Sequence, residues 1–202
     1  MSRLLLSAAL ACLLSGPALA TQEYTLPTLF DVSGVSAGDV LNIRAQPNPQ
    51  APVIGALAPD ATHVEVVEET GGWGRVNAGE GSGWVSMRYL AYRSDVWQPG
   101  ALPEGFRCLG TEPFWNIRVD QPGGTISLNG PEGGETRDLA AILDSGIFRD
   151  PARAVLGRDL TLVTVPAICS DGMSDRLFGL RATVILHGDQ PRMLSGCCLI
   201  QP

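Results

Sequence analysis

LNIRAQPNPQAPVIGAL, Leu41 to Leu57, decides the fold class. In LNIR the apolar Leu41 and Ile43 alternate with Asn42 and Arg44, the period of a half-buried strand, and VIGAL closes the stretch with a second short run. Between them Pro47-Asn48-Pro49 makes a loop without needing ladder donors. The same rhythm continues outward through THVEVVEE, WGRVNA and GWVSM, each bounded by Gly, Pro, Asn or Asp. After a break it resumes in FWNIRVD, TISLN, DLTLVTVPAI, FGLRATVILHG and MLSGCCLI. The 24 glycines and 15 prolines leave little room for long helices. The spacing predicts an all-β protein. One helix is expected, TRDLAAILDSG at 136–146, where Leu139, Ile142 and Leu143 fall at i, i+3 and i+4 before Gly146, with a β-hairpin arm as the alternative.

Two units are expected. The stretch YRSDVWQPGALPEG carries no periodicity, so residues 93–105 read as a linker between 29–92 and 106–202. Residues 1–20 read as a signal peptide: Arg3, an apolar run, and Ala18-x-Ala20 ahead of cleavage near Ala20. The apolar run falls well short of the ~20 residues of a spanning helix. These features predict a periplasmic or secreted protein. Past residue 20 there are 13 arginines, no lysine and 21 carboxylates, so the charge is 13 − 21 = −8. That balance argues against nucleic acid, which rewards basic patches.

The order L-N-x-R, proline loop, V-I-G-x-L, V-x-V, G-W, G-W-V and closing Y-L over residues 29–92 resembles a bacterial SH3-like domain. The resemblance implies a small barrel acting as a non-catalytic binding module that contacts peptidoglycan or an envelope peptide. Trp73, Trp84 and Tyr89, with Asn42 and Arg44, are the candidate ligand-binding residues, because aromatic rings with polar edges suit half-wet grooves. Trp84 filling the barrel interior is the competing reading.

Residues 106–202 resemble a family of uncharacterised exported bacterial proteins and lipoproteins, through C-L-G-T-E-P-F-W (Cys108–Trp115), C-S-D-G-M-S-D (Cys169–Asp175) and the terminal G-C-C. Cys108, Cys169, Cys197 and Cys198 are an even set in an exported chain, which implies disulfides, so residues 106–202 are expected to form a disulfide-stapled β-barrel or β-sandwich. Neighbouring cysteines on a strand face opposite ways, so Cys197 and Cys198 reach different partners. Cys169 takes one of this pair and Cys108 the other, with the choice left open. Phe114 and Trp115 are expected on opposite sides of a sheet.

CSDGMSD reads as a disulfide-anchored turn in which Asp171 and Asp175 cap backbone N–H groups and Met173 tucks into the core. Glu112, Trp115, Asp171 and Asp175 form a possible second site. No catalytic residue is assigned: Ser170 or Ser174, His187 and an aspartate lack a nucleophile elbow. No metal and no cofactor is expected, since Glu112, Asp171 and Asp175 lack a calcium-loop register. The function expected is envelope binding. The alternatives are a cell-wall-targeted hydrolase and a protein–protein module such as an inhibitor of a secreted hydrolase.

Overall fold

The structure, a computed structural model, describes residues 24–202; the expected signal peptide lies outside the described residues. The protein is all-β. The N-terminal part contains β1 (Thr28–Val32), β2 (Leu41–Arg44), β3 (Val53–Leu57), β4 (Val64–Val66), β5 (Glu68–Thr70), β6 (Trp73–Ala78), β7 (Gly81–Ser86) and β8 (Leu90–Tyr92), with a 3₁₀ turn at Met87–Tyr89. Two sheets, β4-β1-β8 and β3-β2-β7-β6-β5, face each other across Phe30, Leu41, Ile43, Val64, Val66, Val76 and Val85. Leu41 and Ile43 point inward, as the alternation of LNIR requires.

The C-terminal part is a closed barrel of β9 (Arg107–Thr111), β10 (Phe114–Asp120), β11 (Thr125–Gly130), β12 (Gly133–Asp144), β13 (Arg153–Gly157), β14 (Leu160–Cys169), β15 (Phe178–Leu186) and β16 (Arg192–Leu199). Each strand pairs antiparallel with its sequence neighbour, and β9 returns to pair with β16. Closure removes sheet edges. The inward residues Ile117, Ile126, Val155, Leu160, Leu162, Leu180 and Val184 are fully buried.

The helix expected at 136–146 is instead the second half of β12. A bulge between Leu139 and Ala141 shifts the register, so Leu139 opposes Gly157 while Ile142 opposes Val155. Both therefore reach the same face three residues apart, which mimics helical spacing in a strand. Leu143 is left exposed.

Both disulfides form, Cys108–Cys198 and Cys169–Cys197. Cys198 points into the barrel beside Ile117 and Leu180, and Cys197 points outward into a small cluster with Phe178 and Leu199. The opposite facing of adjacent strand residues accounts for both bridges.

One end of the barrel is plugged. Residues 93–105 form no strand, yet Val96, Trp97 and Leu102 are buried in the barrel cluster together with Phe106 and Leu29. Arg153 holds this segment. Its guanidinium lies 4.9 Å from the Trp97 ring centre and donates to the carbonyls of Gln98, Ala101, Asp150 and Ala152 at 2.6–3.1 Å. Gln121 pairs with both the N–H and the carbonyl of Leu102. Arg153→Met should lower stability by about 2 kcal/mol, because four carbonyls lose a charged donor in a buried setting. A denaturation midpoint equal to wild type would sink this assignment.

The N-terminal sheets pack on the barrel through polar contacts as well as the buried Leu29. Asn77 bonds both backbone groups of Leu177, at 2.8 and 3.0 Å, and the Trp97 indole N–H donates to the Pro27 carbonyl at 2.8 Å. Pro27 sits where a side chain at Gly179 would be: a Cβ there would lie 2.4 Å from its ring.

Candidate functional site

Two surface regions collect the residues singled out in the sequence. The first lies on the N-terminal sheets. The loop Gly34–Val40, strand β2, the start of β6 and the 3₁₀ turn surround a groove of about 530 Å³ that brings Asn42, Arg44, Trp73 and Tyr89 together. The positions follow from local structure. Gly71 and Gly72 turn with positive φ into β6, which starts at Trp73, and the Met87 N–H bonds the Gly72 carbonyl, drawing the 3₁₀ turn against it. Trp73 and Tyr89 are both half-buried, each showing part of its ring to solvent.

Arg44 is partly committed, because its guanidinium donates to the Ala51 carbonyl at 2.8 Å and so ties β2 to the proline-rich loop. Arg88 stacks 5.6 Å from the Tyr89 ring centre and, with Asp39, adds charge to the rim. Neither Arg88 nor Asp39 stood out in the sequence, since each sits beside a turn with no pattern of its own. Trp84 does not line this groove. It is buried at 9% exposure, opposite Arg44 on one side and Arg75 on the other, with the Arg75 guanidinium 5.3 Å from its ring centre.

The second region joins the two C-terminal motifs. The Thr111 hydroxyl donates to the Asp171 carbonyl at 2.8 Å, which docks the β14–β15 turn onto the β9–β10 hairpin. A wide groove there is lined by Thr111, Phe114, Trp115, Asp171, Met173 and Ser174, with Glu80 from the β6–β7 hairpin at its edge. Trp115 and Asp171 thus share one groove, whereas Glu112 and Asp175 are exposed outside its lining. Phe114 and Trp115 do face opposite ways, exposed and buried respectively.

Asp171 organises the turn. Its carboxylate accepts the N–H groups of Met173 and Ser174 at 3.0 Å and the Ser174 hydroxyl. Partial desolvation works against its ionised form, but these donors outweigh it and hold the carboxyl below the ordinary range. Asp175 acts differently from its expected capping role: its backbone N–H donates to the Glu80 carbonyl, 2.9 Å away, joining the turn to the N-terminal sheets. Met173 is 69% exposed rather than a core plug. Asp171 folds the turn on itself, and the nearby buried cluster of Phe178, Cys197 and Leu199 forms without the thioether.

His187 shares a 3.0 Å hydrogen bond with the Thr161 hydroxyl at the far side of the barrel, away from the Ser170 and Ser174 turn. Among the described residues, no three His, Cys, Asp or Glu side chains are grouped so as to hold a metal ion.

One buried carboxylate lies outside both regions and left no signal in the sequence. Glu65 in β4 accepts the backbone N–H groups of Ile200 and Gln201 at 3.1 and 3.3 Å, just beyond the end of β16. V-E-V reads as a strand with one wet face, but here all three residues are buried.

Residues 39–91 match the bacterial SH3 domain family. No curated protein and no solved structure matches the chain.

Proposed function

We propose that the protein is an exported, non-catalytic binding protein of the bacterial cell envelope, in which residues 29–92 form the binding unit, 93–105 the connection and 106–202 a disulfide-stapled partner unit. The observation that carries this reading is the groove holding Asn42, Arg44, Trp73 and Tyr89 within the segment that matches the bacterial SH3 family. Such modules suggest attachment to cell-wall components or peptides. Aromatic faces flanked by amide and guanidinium donors suit a peptidoglycan fragment, which offers apolar sugar faces beside amides and carboxylates. Two disulfides are compatible with an oxidising location outside the cytoplasm.

Retention of the full chain on purified peptidoglycan sacculi tests the reading. Trp73→Ala should reduce retention roughly tenfold, a loss of about 1.4 kcal/mol, while leaving the melting temperature unchanged, since the ring is half-exposed. Retention equal to wild type in the folded variant removes Trp73 from the contact. Absence of retention for the wild-type chain removes the cell wall as ligand.

A further inference from the structure

The barrel is asymmetric along its axis. The end that opens on the β10–β11 and β12–β13 turns is filled by Val96, Trp97, Leu102 and Phe106. The opposite end, where the β9–β10, β11–β12 and β15–β16 hairpins meet, holds a cavity of about 430 Å³. An eight-stranded barrel has an interior just wide enough for side chains or for one small ligand, and this end is the part left unfilled.

The walls of this cavity are built around Trp115. Its register partner on β9 is Gly110, and Gly196 lies next along β16. A Cβ at Gly110 would sit 2.1 Å from Trp115 Nε1, and one at Gly196 would sit 2.6 Å from Cζ2. The two glycines let the indole lie across neighbouring strands inside the barrel. Ile126 and Leu128 on β11 oppose Arg137 and Glu135 on β12, so these two charged residues share the inward face. Leu128 and Leu194 supply apolar wall, and Arg192 stands at the rim.

Two donors here are unsatisfied. The Trp115 indole N–H is buried without an acceptor, on a residue only 5% exposed. Arg137 Nη1 is also buried without a partner, although Nη2 engages Glu135. Buried donors left unmade are destabilising, and neither group can serve as an acceptor for the other. Whatever relieves them must bring acceptor oxygens. The charges facing the cavity, Arg137 and Arg192 against Glu132 and Glu135, nearly cancel, which suits a single negative charge better than a dianion.

We propose that the open end of the barrel is a binding site for a small amphiphilic monocarboxylate, whose carboxylate meets the donors of Arg137 and Trp115 and whose apolar body lies against Leu128 and Leu194. This site is separate from the groove on the N-terminal sheets and does not depend on what that groove binds.

Titration of the full-length, ¹⁵N-labelled protein with octanoate tests the site through its four tryptophan indole signals, the one from Trp115 being identified by its absence in Trp115→Phe. Octanoate should move the Trp115 indole proton downfield in a saturable manner. 1-Octanol, with the same tail and no carboxylate, should bind at least about tenfold more weakly. Arg137→Met should weaken octanoate by a similar factor. An unmoved Trp115 signal up to about 10 mM octanoate, or octanol binding as tightly as octanoate, overturns the proposal. Undiminished octanoate affinity in a folded Arg137→Met protein also overturns it.

Discussion

Reduction of the two disulfides should unfold the C-terminal barrel at room temperature, the largest single effect expected for this protein. Cys169–Cys197 closes a loop with a sequence separation of 28, and on the chain-entropy account such a bridge contributes roughly 3.5 kcal/mol. Cys108–Cys198 spans 90 residues, but the inner bridge shortens its effective loop, leaving about 4.5 kcal/mol. The sum, about 8 kcal/mol, is comparable with the whole stability of an ordinary domain. Geometry adds to the entropy. Cys108 and Cys198 sit directly opposite each other on β9 and β16, the seam where the barrel closes, and only three residue pairs register there. Cys169 is half-buried while Cys108 and Cys198 are almost wholly inaccessible, so thiol reagents should cut the Cys169–Cys197 bridge first. Near-ultraviolet circular dichroism during dithiothreitol titration, and melts of Cys108→Ser/Cys198→Ser beside Cys169→Ser/Cys197→Ser, measure both claims. Double variants that melt with the wild-type protein would remove the disulfides from the stability account.

The same cysteines show how far the sequence could be read. Alternation and glycine–proline punctuation are local properties, so every run from LNIR to MLSGCCLI appears as a strand. The opposite facing of Cys197 and Cys198 is equally local, and it carries through to two separate bridges. What failed was local pattern interrupted by a bulge. In β12 the extra residue between Leu139 and Ala141 converts a two-residue period into an apparent helical one, and only the partner strand β13 shows which applies.

Barrel closure was legible only as one of two options, a barrel or a sandwich. It depends on β9 finding β16 across most of the C-terminal sequence, and no short window carries that information. The plug was hidden for a related reason. Trp97 and Leu102 lie in a stretch with two prolines and no period, and they become core only because Arg153, some fifty residues later, gathers the carbonyls around them. The motif glycines Gly110 and Gly196 show the reverse case: the sequence displayed them plainly, but their purpose, seating Trp115, exists only once three strands stand side by side. In the N-terminal groove, Trp73 and Tyr89 were readable as amphipathic aromatics near turns, whereas Trp84 is buried on the face of β7 turned away from the opposing sheet, between Arg44 and Arg75 on the neighbouring strands, which the sequence of β7 alone does not show.

Stability should rise as pH falls from 8 to 5, and the cause is Glu65. The carboxyl is wholly buried, and desolvation pushes its pKa up to about 7 from 4.5. The N–H groups of Ile200 and Gln201, together with the more distant charges of Arg107 and Arg176, pull the other way without overcoming burial. Because the folded value lies above the unfolded one, the folded protein holds a proton that the unfolded chain has released between these limits. The stabilisation is therefore fully present below pH 4.5 and is lost as pH rises through 7. A shift of that size corresponds to about 3 kcal/mol across the window. Asp144 and Asp171, whose pKa values are lowered, lose their contributions only at more acidic pH and do not mask it. The location gives the titration a structural meaning. Glu65 Oε2 accepts the N–H groups of Ile200 and Gln201, so the ionised, poorly solvated state bears on the joint between the N-terminal sheets and the barrel. Glu65→Gln keeps a carbonyl oxygen for both donors and removes the proton equilibrium. Its unfolding free energy should be nearly flat from pH 5 to 8, exceeding wild type at the alkaline end. A wild-type slope that survives in Glu65→Gln would assign the pH dependence to another group and leave Glu65 as a plain hydrogen-bond acceptor.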